Sequence, residues 1–424
     1  MHWDVIVIGG GPAGMMAAGR AAARGARVLL LEKNESLGKK LLITGGGRCN
    51  VTNNQPDNKL FLKKLPESSK YLFTSFAQWN ASSSLTFFHE RDMDTKTENE
   101  LREFPVSDSA QSVWDVLVEE MKKYNVAVQT SSPITGFKLD TEKHITGVQL
   151  KNGDILAASS YILATGGKSH PETGSTGDGF AWLSEIGHNV INTAPSLVPI
   201  ALSDNWAKKL QGVSLQDVKM SATSQPFDTA QGKHETRTGK LLFTHFGISG
   251  PLALNISNAV RELLQYGEVT LVLDLLPAMN HKEIDIALQK IYLEQAKKRV
   301  KNISSDLLPA SVLRAASKLA GIDIETNCTN VSKEQRKALV QLFKALPLHV
   351  SHLLGVNKAI ITSGGVALDE VNFKTMQSKL FPNLYIVGDV LNINRPSGGY
   401  SLQLCWTTGF IAGNSVPLSL SSPT

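Results

Sequence analysis

The sequence predicts an α/β fold, and three observations predict it. Residues 4–8 (Asp4-Val5-Ile6-Val7-Ile8) and 28–32 (Val28-Leu29-Leu30-Leu31-Glu32) are short apolar runs separated by a glycine turn and an alanine-rich stretch without proline. That order reads as buried strand, tight turn, helix, strand. Two later apolar runs, 160–165 and 383–387, also end in glycine. Between them, residues 196–275 change to short strand-like segments, and residues 277–345 to helical ones.

The opening unit carries the first functional signal. Gly9, Gly11 and Gly14 fit a G-x-G-x-x-G spacing, with Pro12 and Ala13 opening the helix. In that pattern the first glycine makes the turn, the second lets a pyrophosphate approach the backbone, and the third lets helix and strand pack closely. Ala17, Ala18 and Ala21 continue the small face, and Gly25 suits the end of the helix. Glu32 closes the second strand 18 residues after Gly14, where a carboxylate accepts ribose hydroxyls and repels a 2′-phosphate. NADP is therefore disfavoured at this turn, and NAD and FAD remain open.

Composition narrows the classes. A chain of 424 residues with 42% hydrophobic content accommodates two or three domains with full cores. Its charge, 43 − 38 = +5, has no long run of one sign, so no nucleic acid partner is expected from charge. No apolar run reaches the roughly 18 residues of a membrane span, and the N-terminus has no basic region before its apolar segment. A cytoplasmic protein with no membrane partner is expected. Cys49, Cys328 and Cys405 are far apart, which argues against a disulfide framework, a redox dithiol or a metal centre.

Along the chain, residues 44–53 hold three glycines followed by Arg48, Cys49, Asn50 and Asn53, a loop suited to close backbone approach to a ligand. Residues 60–118 read as mostly helical. Segments 126–130, 134–139, 145–150 and 155–158 read as a small antiparallel meander. The junction at Thr165-Gly166-Gly167 continues into a loop rich in glycine and hydroxyls, in which His170 is a candidate acid/base. Segments 197–202, 213–220, 241–244 and 269–273 suggest a small barrel or curled sheet, with a helix start at Ser249 and Pro251. In the helical segment, Asn280 with Glu283 and Ser332 with Gln335 fit capping boxes.

The C-terminal region decides between the two cofactors. A strand ending at Gly388-Asp389 places a carboxylate at the sheet's carboxyl edge, where it can take ribityl hydroxyls. A helix starting at Gly398-Gly399 directs N–H groups and a positive dipole end outward, which stabilises negative charge on N1/O2 of a reduced flavin. Nicotinamide adenine dinucleotide has no such group to satisfy, so FAD is expected.

Five stretches in order, 44–50, 164–169, 174–179, 242–251 and 397–400, resemble the YhiN/BaiN-like bacterial flavoproteins over nearly the whole chain. The resemblance implies a glutathione-reductase-like Rossmann FAD-binding domain (1–195 and 364–424), an inserted β-barrel domain (196–276 and 346–363) and a helical insert subdomain (277–345). It implies an FAD-dependent oxidoreductase that exchanges hydride between flavin N5 and a small or flat organic substrate held between the FAD and barrel domains. Enone reduction with NAD(P)H as transient donor leads, an amine oxidase using oxygen is the enzymatic alternative, and a flavin-containing RNA- or protein-binding protein is the alternative of another class.

The cofactor contacts expected on this chain begin with Gly9, Gly11, Pro12, Ala13 and Gly14 at the pyrophosphate, and Glu32 at the ribose with Lys33 beside it. Lys40, Thr44, Gly46, Arg48, Cys49 and Asn50 are expected to close over the cofactor. Val128, Thr165 and Gly166 follow, then Gly388, Asp389, Gly398, Gly399 and Tyr400 at the ribityl chain and ring. His170, His245 and Tyr400 are the candidate catalytic groups, and no metal ligand is expected. The chain departs from the family pattern at Asp389, at Asn394-Arg395-Pro396, at Ser401 and at His170.

Overall fold

The computed structural model describes residues 2–65, 67–224 and 235–418. The chain divides into two compact units, one of residues 1–195 and 359–424, the other of residues 196–358.

The first unit is built on a seven-stranded sheet in the order Val371–Asn372, Gln377–Ser378, Leu384–Ile386, Ala158–Leu163, Trp3–Ile8, Val28–Leu31, Ala127–Gln129. The last five strands are parallel, and Ile8 lies opposite both Leu31 and Leu163, which in turn lies opposite Ile386. Four strands thus end at one level. Val5 to Ile8 and Val28 to Leu31 are buried on both faces, as a parallel sheet covered by helices requires.

One covering layer pairs the helix Pro12–Ala23 with the C-terminal helix Tyr400–Ser415. Glycine sets their separation. A Cβ on Gly409 would stand 2.5 Å from the carbonyl oxygen of Ala13, and one on Gly413 would stand 2.4 Å from that of Ala17. The C-terminal helix is buried nearly all round, from Leu402 through Gly409 and again at Ile411 to Gly413, so it is a core element and not a surface one.

Residues 60–118 are mostly helical as expected, with one hairpin added, and the meander needs correction. Within residues 60–118 the chain forms the strands Thr95–Glu98 and Arg102–Pro105, which pair with each other and with Thr52–Asn53. Their turn uses Glu100 and Leu101 at φ of 62° and 58°, a left-handed pair without the glycine that would have announced it. The segment at 126–130 is not part of the meander. It joins the main sheet in parallel, Leu30 opposite Val128, and leaves Ile134–Leu139, Ile145–Leu150 and Ile155–Leu156 as a three-stranded antiparallel sheet.

The second unit is a closed barrel of six strands in the order Ile200–Leu202, Gly247–Ser249, Glu235–Phe243, Ser214–Ser224, Val269–Asp274, Leu346–Leu353. The strand expected at 197–202 starts only at Ile200, because Leu197 sits at φ 52°. A bulge at Asp217, φ 47°, bends the strand Ser214–Ser224. The helix Gly250–Leu263 packs its apolar face into the barrel core through Leu252, Ile256 and Val260. Between the last two barrel strands in sequence lie the helices His281–Glu294, Ala310–Leu319 and Lys333–Lys344, the first and third opened by capping boxes at Asn280 and Ser332. Among the described residues no helix is long and apolar enough to cross a membrane.

Candidate functional site

The carboxyl ends of the parallel strands open onto one cleft of the first unit, enclosing about 1200 Å³ of empty space with its solvent. The location follows from topology, since ligands of open α/β sheets sit at that edge.

The three fingerprint glycines occupy three different environments. Gly9 lies at φ 106°, and a Cβ there would meet the carbonyl oxygen of Ala164 at 2.6 Å; at Gly14 it would meet that of Gly9 at 1.9 Å. At Gly11 nothing lies within 4 Å. The first and third positions are filled by backbone, and the second is open to the cleft, the cradle a pyrophosphate needs at the start of a helix. Pro12 and Ala13 line the cleft beside it.

Glu32 braces this turn. Its Oε2 accepts from the backbone N–H of Gly10 at 2.8 Å, and its Oε1 accepts from the N–H and the Nδ2 of Asn34 at 2.8 and 2.7 Å. Asn34 Nδ2 also donates to the carbonyl of Thr173, which ties the acid to the loop after the second glycine junction. Lys33 pairs with Asp178 at 2.6 Å and donates to Thr176. A carboxylate has about four lone-pair sites, so Glu32 keeps capacity for a ribose hydroxyl.

At the other end of the cleft stands a buried cluster of charges. Asp389 accepts from Arg395, and its second oxygen lies 3.7 Å from Lys40. Arg395 also donates to the Ile393 carbonyl at 2.7 Å and to Ser401 Oγ at 2.9 Å, and Lys40 donates to Ser169 Oγ at 2.5 Å. Burial pushes the Asp389 carboxyl up, but the Arg395 and Lys40 charges outweigh it and hold the group below the usual carboxylate range. Burial pulls the Lys40 ammonium down, against the pull of Asp389. The Cys405 thiol, also on the cleft, is pushed up to about 12 by burial and by Asp389. Two cations and one anion leave this end of the cleft with net positive charge.

Of the expected cofactor contacts, Gly9, Gly11, Pro12, Ala13, Glu32, Lys33, Lys40, Thr44, Thr165, Gly166, Gly388 and Asp389 line the cleft. Thr165 lines the cleft, but its Oγ1 is buried without a hydrogen-bond partner against Gly179, whose Cβ, if present, would stand 2.2 Å from it. Others lie elsewhere. Arg48 turns to Glu98 and Asp108 and lies over the Phe104 ring, 4.3 Å from its centroid. Cys49 is fully buried in the core, its thiol pushed up to about 12 by burial. Gly46 and Asn50 belong to the same turn without lining the cleft, although Asn50 Oδ1 is a second unpartnered buried atom. Val128 is an exposed residue of the sheet's edge strand.

The C-terminal glycines serve packing. A Cβ on Gly399 would stand 2.3 Å from the carbonyl carbon of Thr52, and Asn53 Nδ2 donates to the Gly398 carbonyl at 3.2 Å. The face of that helix on the cleft is Ser401, Leu402 and Cys405 instead. Sequence reading missed these three, and the signal was their spacing of one and four on a helix. It also missed the cleft residues Asn34, Ser132 and Ser175.

Each catalytic candidate has surroundings of its own. His170, at φ 55°, shares its Nδ1 with Glu172 at 2.8 Å. Tyr400 packs on Phe61 with ring centroids 4.7 Å apart, and burial pushes its hydroxyl up to about 12. His245 is exposed on a turn of the barrel, in the other unit.

Residues 3–415 match the family model described as HI0933-like protein Rossmann domain. The chain is 31% identical over 430 residues to a protein of Escherichia coli named ribosomal RNA dihydrouridine synthase, covering 99% of this chain and 100% of the relative. It is 29% identical to the 3-dehydro-bile acid delta(4,6)-reductase of Clostridium scindens, covering 96% and 98%. In fold it is similar to a flavocytochrome c3 fumarate reductase, with a TM-score of 0.54 at 16% identity over 98% of this chain and 78% of that one. A 3-ketosteroid delta1-dehydrogenase from Sterolibacterium denitrificans gives the same TM-score at 14% identity, over 97% and 99%.

Proposed function

Because the chain belongs to the HI0933-like Rossmann family, we propose that this FAD-dependent oxidoreductase reduces a carbon–carbon double bond conjugated to a carbonyl in a flat substrate. One observation carries the cofactor half of this reading: the open Gly11 position, the braced Glu32 and the Lys40–Asp389 pair, with Arg395 buried behind it, come together at a single cleft at the strand ends. That donor set fits FAD, a long ligand with a diphosphate in the middle, hydroxyls on either side and a ring that becomes anionic on reduction.

The names of two relatives support the substrate half. A dihydrouridine differs from uridine by two hydrogens across a bond conjugated to the C4 carbonyl, and a 3-oxo bile acid unsaturated at positions 4 and 6 presents the same arrangement in a steroid. The chemistry common to both is hydride addition to the far carbon of the conjugated system and protonation of the near one. Bound FAD supplies the hydride at N5, with a nicotinamide nucleotide as its donor.

The protein's own residues hold and polarise. The turn at Gly9 to Gly14 and the N-terminus of the helix Pro12–Ala23 take the diphosphate, and Glu32 takes the adenosine ribose. Asp389, kept ionised by Arg395 and Lys40, takes ribityl hydroxyls, while the surplus positive charge favours an electron-rich ring.

The test uses the purified protein. Its visible spectrum should show bound flavin, bleached anaerobically by NADH or NADPH and restored by a 3-oxo-Δ4 steroid or by uridine in RNA. A colourless protein that cannot be reconstituted with FAD overturns the cofactor assignment. Restoration by oxygen alone, or bleaching by amines, overturns the substrate class.

A further inference from the structure

We propose that Lys297, Lys298, Arg299, Lys301 and Arg314, on the helical part of the second unit, form a surface that binds the phosphate backbone of a structured RNA, the carrier of the base to be reduced. The inference rests on the reductase reading above and names the substrate class for it.

Charge is distributed unequally between the units. Residues 196–358 hold 20 Lys and Arg against 14 Asp and Glu, 20 − 14 = +6, whereas the rest of the chain holds 23 against 24, 23 − 24 = −1. The surplus of the whole protein resides in the unit that lacks the nucleotide cleft. Its densest concentration is the stretch Lys297-Lys298-Arg299-Val300-Lys301.

The fold anchors this stretch, a turn leading into the 3-10 helix Val300–Asn302, and keeps its cations on the surface. Val300 is buried and anchors the segment, and Arg299 bridges Asn327 in antiparallel fashion. The N–H groups of Val300 and Lys301 donate to the carbonyls of Thr326 and Ile324, both at 2.9 Å, and the N–H of Cys328 donates to the Lys298 carbonyl at 3.0 Å. Lys297, Lys298 and Arg299 are exposed, and exposed Arg314 reaches in from the helix Ala310–Leu319 to the Lys301 carbonyl at 3.3 Å. Against these five cations stands Glu325, which pairs with both Arg299 at 2.7 Å and Lys301 at 2.8 Å; Asp323 is the neighbouring acid, its carboxylate accepting from the Glu325 N–H at 3.0 Å. Five cations against two anions leave the patch at about +3.

Such a patch suits a polyanion with regularly spaced charges. Neutralising phosphates releases condensed counterions, so each contact adds affinity that falls with salt, with a slope of roughly 0.7 to 0.9 per phosphate in log units. A free steroid or a free pyrimidine base offers nothing for it to bind, whereas a base within a folded RNA does.

The experiment uses the full-length holoenzyme and fluorescein-labelled transcripts tiling the small- and large-subunit ribosomal RNAs, read by anisotropy from about 50 to 300 mM salt. Wild type is expected to bind at least one transcript with a slope near −3. Lys297→Glu with Lys298→Glu should weaken that binding at least tenfold at about 100 mM salt and make the slope shallower by roughly 1.5. Glu325→Gln, which removes the patch's own counter-charge, should tighten it several-fold. Lys122→Glu with Lys123→Glu, on the first unit, should change it little. Flavin absorbance and reoxidation by a 3-oxo-Δ4 steroid should be the same in all variants, which separates the patch from the reductase site.

The proposal is overturned if no transcript binds. It is equally overturned if both double variants weaken binding alike, or if polyglutamate binds as tightly as RNA, which would assign the patch to an acidic protein. In each of those cases steroid reoxidation still reports on the reductase reading by itself.

Discussion

Replacing Arg395 with methionine isolates the buried charge cluster. Arg395 is 5% exposed and makes three hydrogen bonds, one of them to a largely buried Asp389. Removing one partner of a buried pair costs about 3–5 kcal/mol, because the remaining charge stays desolvated. Lys40, 3.7 Å from the second Asp389 oxygen, retains part of the compensation, so the expected loss is near the lower limit, about 3 kcal/mol at pH 7. For a unit of this size that lowers Tm by roughly 6–12 °C.

The pH dependence is the sharper part of the prediction. In the wild type the Asp389 carboxyl sits below its ordinary value, so its stabilising contribution is complete above about pH 4 and is lost only as pH falls through the native value. Without Arg395, burial is opposed by Lys40 alone and is expected to lift the native value above the unfolded one. That contribution is present at low pH and disappears as pH rises. The gap between Arg395→Met and wild type should therefore be small near pH 4 and widen toward pH 7, by at most about 1.4 kcal/mol per pH unit. Thermal melts of the purified protein in matched buffers measure it, with Asp389→Asn alone and combined with Arg395→Met closing the cycle. A gap that is the same at pH 4 and pH 7, or a cycle with no coupling, refutes the reasoning.

Gly11→Ala should fold with the wild-type melting temperature and lose flavin, whereas Gly14→Ala, whose Cβ would lie 1.9 Å from a carbonyl oxygen, should lose both stability and flavin; absorbance and melts together check the contrast. Equal melting losses for the two would mean that the open position is not a ligand cradle. Gly409→Ala, whose added Cβ would stand 2.5 Å from the Ala13 carbonyl oxygen, forces the two helices apart and should destabilise by about 1–3 kcal/mol, read by urea denaturation at constant m-value. Cys405, buried with its thiol near 12, should resist iodoacetamide at pH 8 in the native protein and react once unfolded, as mass spectrometry of the modified peptide will show.

What could be read directly from the residues was what is local. The turn at Gly9, Gly11 and Gly14, the helix behind it and Glu32 lie within about thirty residues, and their spacing alone determines how they meet. The capping boxes at Asn280 and Ser332 are local in the same way. The surroundings of Arg48 were not legible because its partners, Glu98 and Asp108, lie fifty and sixty residues away, on and just after a hairpin that carries no glycine at its turn. The cleft face of the last helix was missed because Gly398 and Gly399 looked like ligand contacts, whereas only tertiary packing shows them against Thr52 and Asn53. Whole-chain charge is an average: +5 over 424 residues is the sum of +6 on one unit and −1 on the other.

The contact of Gly409 and Gly413 with Ala13 and Ala17 also dictates an order of events during synthesis. The surface that completes the helix Pro12–Ala23 is encoded far downstream of it, in the helix Tyr400–Ser415. At 5–20 residues per second the wait is roughly 20–80 s. During it the barrel unit, contiguous from residue 196 to 358, emerges whole and can close around its own core. The nucleotide turn, first to be made, is thus among the last parts to be finished, and cofactor capture becomes a checkpoint on full-length chains: a truncated product ending before Tyr400 has the fingerprint but not the helix that supports it.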